Sequence, residues 1–428
     1  MRQEVENATN NRCIIGVLKL QKIKEEEMRS LMGELSSLCV VSGLEVVGEI
    51  EQPLDHPSGS TYFGKGKVDE IAEYVQTLDV GTFVVAAELS GVQLRNLEDK
   101  IGCKVVDRTM IVLDIFANRA GSKESKLQVE LAQLKYRMPR LLGFRNSLSR
   151  PGGGIGTRGP GEKKLETDRR HIHKRIDDIK KELKAAVSAR QVTRTLREKQ
   201  AIPLVALVGY TNAGKSSIMN KLIQLTEAVG DEVYAEDMLF ATLDTFLRRI
   251  DIEKGKSFIL VDTVGFIKYL PHTLIDAFKS TLEEVIQADL LVHVIDSSAS
   301  DAQLRIDVVH DILHELHADT KEEIYAYNKS DIAVSDLIVG GSNSVHVSAL
   351  TGDGCDELLH LISEKLFGSH EDITLLIPYE KGDVLSYILE HGTLLGELDY
   401  TENGTILTAS ISAADKGRLS HYELQNRS

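Results

Sequence analysis

The run Gly209-Tyr210-Thr211-Asn212-Ala213-Gly214-Lys215-Ser216 fits the spacing GxxxxGK[ST]. In such a loop the backbone N–H groups wrap a β-phosphate, the lysine bridges the β- and γ-phosphates, and the last hydroxyl ligates Mg²⁺. Those roles fall here to Lys215 and Ser216, with Ser217 next in the chain. Downstream, Asp262-Thr263-Val264-Gly265 offers a carboxylate placed to hold Mg²⁺ through water and a Gly265 N–H able to read a γ-phosphate. In Asn328-Lys329-Ser330-Asp331 the Asp331 carboxylate can accept from both the N1–H and the 2-amino group of guanine, donors that adenine lacks. Ser348-Ala349-Leu350 adds a backbone N–H for guanine O6. Each tetrapeptide arises readily by chance. All four in this order point to GTP and Mg²⁺ as ligands and to phosphoryl transfer to water as the chemistry.

Two further segments bear on that chemistry. Phe240-Ala241-Thr242-Leu243-Asp244 offers Thr242 as the hydroxyl that closes on Mg²⁺ when a γ-phosphate is present, with Thr245 as a competitor. Phe266 follows Gly265, where many GTPases carry a water-orienting glutamine. An aromatic ring cannot polarise water, so the catalytic residue is unknown and slow intrinsic hydrolysis is expected. Either a partner supplies the missing group, worth roughly 10³–10⁵-fold in rate, or the ring packs in the core and turnover stays slow.

These residues need a scaffold that sets them along one edge. Pro203–Val208 reads as a buried strand feeding the Gly-rich turn, with a helix starting at Lys215. Phe258–Val261, Leu290–Ile295, Ile324–Tyr327 and Ser344–Val347 read as further strands separated by helix-length segments. This predicts a doubly wound parallel α/β sheet over residues 201–368, with phosphate chemistry at its carboxyl edge.

Upstream, residues 1–118 alternate strand-like runs (Ile14–Leu18, Glu45–Ile50, Thr82–Ala86, Lys104–Val106) with helical spacing in Ile23–Val41 and Val68–Thr77, an N-terminal α/β domain. The basic stretch Ser58–Lys67 reads either as a tight turn with solvated lysines or as a phosphate-holding loop using Lys65 or Lys67. Residues 119–200 read as a helical hairpin or short coiled coil. Leu127, Leu131, Leu134 and Met138 form one stripe stopping at Pro139; Ile172, Ile176, Ile179, Leu183 and Val187 form the other. The Gly-rich stretch Pro151–Gly161 between them is either a flexible tether or a basic fingertip for a phosphate backbone. Residues 371–428 read as a small C-terminal α+β domain: strand Ile373–Ile377, helix Gly382–His391, and a hairpin of Thr393–Tyr400 and Thr405–Ser412 turned at Asn403-Gly404.

Composition sets the outer limits. At 428 residues, 42% hydrophobic and 27% charged, the chain fits a globular protein of several domains and neither a disordered nor a membrane-embedded one. No run approaches the ~18 apolar residues of a membrane span, and the N-terminus lacks a secretory pattern. Four scattered cysteines fit a reduced compartment. The net charge of −15 conceals a division: residues 119–200 carry 22 Lys+Arg against 9 Asp+Glu, net +13, leaving −28 for the rest. That split is expected where one element faces a polyanion.

Taken together, the motifs resemble the HflX family of ribosome-associated GTPases over nearly the whole chain. The resemblance rests on Thr61–Lys67 (TYFGKGK), Asp107–Ala117 (DRTMIVLDIFA), Leu127–Leu134 (LQVELAQL), Gly152–Gly161 (GGGIGTRGPG), Leu165–Arg170 (LETDRR), Gly209–Ser216 (GYTNAGKS), Phe240–Asp244 (FATLD) and Asp262–Ile267 (DTVGFI). It implies a helical unit that reaches rRNA on the large (50S) ribosomal subunit, with action in translation, subunit splitting or biogenesis. Composition and cysteine usage read as cytoplasmic, and a monomer is expected because nothing in the sequence demands a dimer. No DNA partner and no integral membrane contact are expected; peripheral membrane association stays open. The resemblance also leaves open a nucleotide-gated binding factor and an ATP-dependent RNA remodeller using the N-terminal domain. Ser217, the Glu162-Lys163-Lys164 run and Thr245 depart from the usual family residues Thr, Glu-Thr-Gln and Pro.

Overall fold

The computed structural model describes residues 11–21, 24–141, 160–199, 202–226, 238–240, 246–253, 256–268, 282–333, 341–368 and 370–424. The chain is built on three sheets. The first is four-stranded and wholly parallel, in the order β2(Glu45–Pro53), β1(Arg12–Lys19), β3(Thr82–Val85), β4(Lys104–Asp107). Strands β1 and β3 are apolar on both faces because helices cover both. Cys13, Ile15 and Val84 meet Leu35 and Cys39 of the helix Glu25–Val41 on one side. Ile14, Phe83 and Val85 meet Ile71 and Leu97 on the other.

Two helices here went unread in the sequence, though their ends carry signals. Gly91–Ile101 opens on a capping box, Ser90 with Gln93, and closes on left-handed Gly102. Arg108–Arg119 opens on Asp107, whose carboxylate accepts from the Met110 N–H at 2.9 Å. Over Ser58–Lys67 the backbone is a turn closed on itself. The Tyr62 and Ser58 N–H groups donate to each other's carbonyls, the Gly64 N–H donates to Gln52 Oε1, and Lys67 pairs with Glu70. These contacts give the stretch the form of a tight turn, the first of the two readings.

The helices Lys123–Leu141 and Pro160–Lys199 pack antiparallel. Leu127 and Leu131 lie against Ile176 and Ile179, flanked by Leu134, Met138, Ile172 and Leu183. Arg175 binds Glu130 through two bonds of 2.7 Å, while Lys123 reaches Glu182. Pro139 does not stop the first helix, which runs two residues further. There the Arg140 guanidinium folds back onto the Tyr136 carbonyl and reaches the Leu89 carbonyl and Asp107. The Gly-rich stretch up to residue 159 and the side chain of Val187 lie outside the described residues.

The second sheet has six strands, ordered β10(Ser344–His346), β9(Glu322–Asn328), β8(Leu290–Asp296), β5(Leu204–Gly209), β7(Lys256–Asp262), β6(Phe246–Glu253). All pairings are parallel except β6 with β7. The five strands expected from the sequence thus pair in parallel as a doubly wound sheet, and β6, which was not expected, adds an antiparallel edge next to β7. The third sheet is antiparallel: β14(Gly404–Ser412) pairs with β11(His370–Ile377), β12(Thr393–Leu394) and β13(Asp399–Thr401). The single strand expected over Thr393–Tyr400 is thus two short ones, and a further helix follows at Ala413–Leu419. None of the described helices is long and apolar enough to cross a membrane.

Candidate active site

The Gly209–Ser216 loop joins β5 to the helix Lys215–Leu225 beside the point where the sheet order reverses. It borders a cavity of about 630 Å³, also lined by Ser217, Gly265, Asn328, Lys329, Asp331, Ala349 and Leu350. Two glycines set its shape. Gly214 has φ of 95°, and a Cβ there would stand 2.1 Å from Asn328 Nδ2. A Cβ on Gly265 would stand 2.6 Å from Thr211 Cα, so only glycine lets the end of the β7 strand close on the loop.

Lys215 is buried, and its Nζ donates to the loop's own carbonyls, Gly209 at 3.2 Å and Tyr210 at 3.1 Å. Burial lowers its pKa to about 8 against the pull of Asp262. Ser216 Oγ donates to Asp262 Oδ2 at 2.5 Å. This puts a hydroxyl and a carboxylate, hard oxygen donors, side by side at the mouth of the loop. Thr263 is turned away, donating to the Leu207 carbonyl, and Val264 packs in the core.

At the far end, Asp331 Oδ1 accepts from Ser348 Oγ at 2.7 Å and Lys329 Nζ binds Asp296 at 2.9 Å. Leu350 and Ile332 expose apolar side chains there. The Ser330 N–H donates to Val347. Asn328 does something the sequence did not reveal. Its Nδ2 donates to the Ala213 carbonyl at 2.8 Å, and its Oδ1 accepts from the Ala349 N–H at 3.0 Å. One buried amide thus braces the phosphate loop against the base-side loop.

Phe240 lies against the phosphate loop, its N–H donating to Thr211 Oγ1 at 2.8 Å. Ala241, Thr242, Leu243, Asp244 and Thr245 lie outside the described residues. The Phe266 ring is buried among Ala206, Val208 and Leu291, while its main chain pairs with Gly209 and Thr211. Among the described residues the ring is 2% exposed, so it presents no face to solvent from which it could orient a nucleophile.

The sequence also gave no sign that the N-terminal domain touches this site. Tyr210 turns its hydroxyl outward to Glu34, and that carboxylate also holds Arg108. Tyr210 Oη accepts from the Lys268 N–H at 3.0 Å, and Arg108 Nη2 donates to the Lys268 carbonyl at 2.6 Å. The peptide three residues beyond Gly265 is therefore gripped on both sides. Burial raises the Glu34 pKa, opposed by Arg108 and the Tyr210 hydroxyl. Nearby, Phe116 meets Phe240 edge to face at 4.7 Å.

A phosphate loop at a sheet switch point, with an acidic strand end beside it and a base-side Asn-Lys-Ser-Asp loop, defines a P-loop GTPase. Matches to known families run along most of the chain, from residue 29 to residue 422. Residues 29–117 match the N-terminal region and 119–197 the middle region of GTP-binding GTPases, 204–329 match a 50S ribosome-binding GTPase, and 333–422 match the HflX C-terminal domain. The HflX GTPase of Caldanaerobacter subterraneus is 46% identical over 401 residues, covering 94% of this chain and 92% of its own. The HflX GTPase of Escherichia coli is 39% identical, covering 94% of each. A solved GTP-binding protein from Sulfolobus solfataricus in complex with GDP aligns over 82% of this chain and 98% of its own, at 25% identity and TM-score 0.42. The chain belongs to the HflX family of GTPases.

Proposed function

We propose that this GTPase works on the large ribosomal subunit, docking through its basic helical unit and hydrolysing GTP faster when docked. The reading divides the chain at residues 118, 200 and 368, and the observation that carries it is charge. Residues 119–200 hold +13 in a chain that is otherwise −28, on a hairpin leading straight into β5. The match of residues 204–329 to a 50S ribosome-binding GTPase family supports the choice of subunit. Cytoplasmic localisation and a monomeric state belong to the same proposal.

At the site, the Gly209–Gly214 backbone N–H groups cradle the β-phosphate and Lys215 leaves its loop carbonyls for the β- and γ-phosphates. Asp331 selects guanine, with the Ala349 and Leu350 backbone beside O6, and the Gly265 N–H senses the γ-phosphate. Ser216 and Thr242 would hold Mg²⁺, with Asp262 acting through water; the oxygen donor pair at Ser216 and Asp262 suits that ion. The ion supplies neutralisation of charge on the phosphate oxygens.

GTP turnover by the pure protein, with and without large subunits at near-physiological salt, tests the proposal. A rise of tenfold or more is expected. No rise, with GTP still bound, overturns it. Because the Phe266 ring is packed away, a second reading also has support: a nucleotide-gated binding factor whose turnover is incidental. Full, repeated function with a non-hydrolysable GTP analogue would select that reading.

A further inference from the structure

On the face of the second sheet opposite the helix Lys215–Leu225, four polar side chains converge under the helix Ala302–Glu315. His293 comes from the middle of β8, Glu323 and Tyr325 from β9, and His310 from the helix. His293 and Tyr325 are register partners and Glu323 lies two residues back, so Glu323 and Tyr325 flank the His293 ring. His293 is buried, while Glu323 and His310 are part-exposed, His310 the more so.

The distances divide into two kinds. His293 Nδ1 to Glu323 Oε1 and Tyr325 Oη to Glu323 Oε2 are each 2.9 Å, ordinary hydrogen bonds. His310 Nε2 stands 3.4 Å from Glu323 Oε2 and 3.4 Å from Tyr325 Oη. That is long for a hydrogen bond, but it is the edge of a tetrahedron of donors about 2.0–2.1 Å from a central ion, roughly 3.3–3.4 Å. One ligand atom from each of His293, His310 and Glu323 lies within 4.8 Å of the others, the only such group of three among the described residues.

We propose that His293, His310 and Glu323 form a binding site for a divalent transition-metal ion of borderline softness, Zn²⁺ or Co²⁺, with Tyr325 Oη or water at the fourth position. Two imidazoles and one carboxylate suit such an ion, whereas Mg²⁺ prefers oxygen donors. The ion would pin the helix Ala302–Glu315 to the sheet. His293 stands three residues before Asp296, and Tyr325 three before Asn328, so the clamped strands are those that run on to the base-side loop. This site lies apart from the phosphate loop and owes nothing to the Mg²⁺ bound with GTP.

The untagged full chain, held in excess Mg²⁺ and GDP to saturate the phosphate site, is titrated with Co²⁺ and followed by visible absorption, then with Zn²⁺ by calorimetry. One ion per chain is expected, with the intense absorption of tetrahedral Co²⁺ bleached by Zn²⁺. His310→Ala, which alters a part-exposed side chain, and the near-isosteric Glu323→Gln should each weaken binding at least roughly tenfold while leaving GDP affinity unchanged. Zn²⁺ should raise the unfolding temperature of the wild type and not that of His310→Ala. An absence of stoichiometric binding, or equal binding by wild type and both variants, would overturn the proposal.

Discussion

Asn328→Ala probes the amide that ties the phosphate loop to the base-side loop. The wild-type side chain is buried and spends both ends on main chain, Ala213 on one side and Ala349 on the other. Removing it strands a carbonyl and an N–H, each costing about 1–3 kcal/mol if left buried without a partner. Water entering the enlarged cavity recovers part of this, so the net loss is about 2 kcal/mol, about 30-fold in nucleotide affinity. Because one end of the brace acts on the phosphate loop, inorganic pyrophosphate, which has no base, must weaken along with GDP. Calorimetric titration of both ligands into both proteins decides the matter. If GDP binding falls while pyrophosphate binding holds, Asn328 acts at the base alone and the bracing argument is wrong.

The other expectations are compact. Asp331→Asn exchanges an acceptor for a donor opposite the guanine N1–H, so GTP affinity should fall at least about 100-fold while xanthosine triphosphate gains, as competition binding would show; unchanged preference would remove Asp331 from base recognition. Burial holds Lys215 at about 8 and bound phosphate restores its proton, so binding takes up a proton above that pH and GTP affinity should drop about eightfold between pH 7.5 and pH 9. The same lowered pKa means that stability of the nucleotide-free protein rises with pH from 8 towards 10.5. Lys215→Arg, charged throughout this range, should abolish the affinity slope, and a slope that persists assigns the proton elsewhere. Glu34→Ala leaves the buried Arg108 guanidinium without its carboxylate and should cost about 3 kcal/mol in denaturant unfolding, Glu34→Gln less; a loss below about 1 kcal/mol would mean the contact is not made in solution.

What could be read in the sequence follows from where the constraints lie. The phosphate loop was legible because its demands, glycine at 214, lysine at 215 and a hydroxyl at 216, fall on neighbouring residues after an apolar strand. The brace was not, since Asn328 meets Ala213 across 115 residues and nothing local distinguishes a base-side asparagine from a structural one. Tyr210 occupies a variable position of the motif, so its bond to Glu34, 176 residues away, leaves no local trace. Strand β6 was hidden because Arg248 on its inner face and Leu247 on its outer face break its alternation, and an edge strand needs no apolar outer face. By contrast, the capping box at Ser90 and the left-handed Gly102 were there to be found. Pro139 misled because proline is costly inside a helix, but two residues from its end little ladder remains to be lost.

The seat of Phe266 closes one route by which such a protein could change. Its N–H and C=O are committed to Gly209 and Thr211, and its ring fills a gap between β5, β8 and the segment around Leu282 and Val285. A glutamine here would not inherit a catalytic post; it would bury an amide where an aromatic ring had been, at a cost of a few kcal/mol. A faster enzyme is thus not one codon away, because the first step along that path is a loss of foldedness rather than a gain of speed. Selection acting on the tempo of this GTPase is deflected from its own interior towards other surfaces, where change is cheaper.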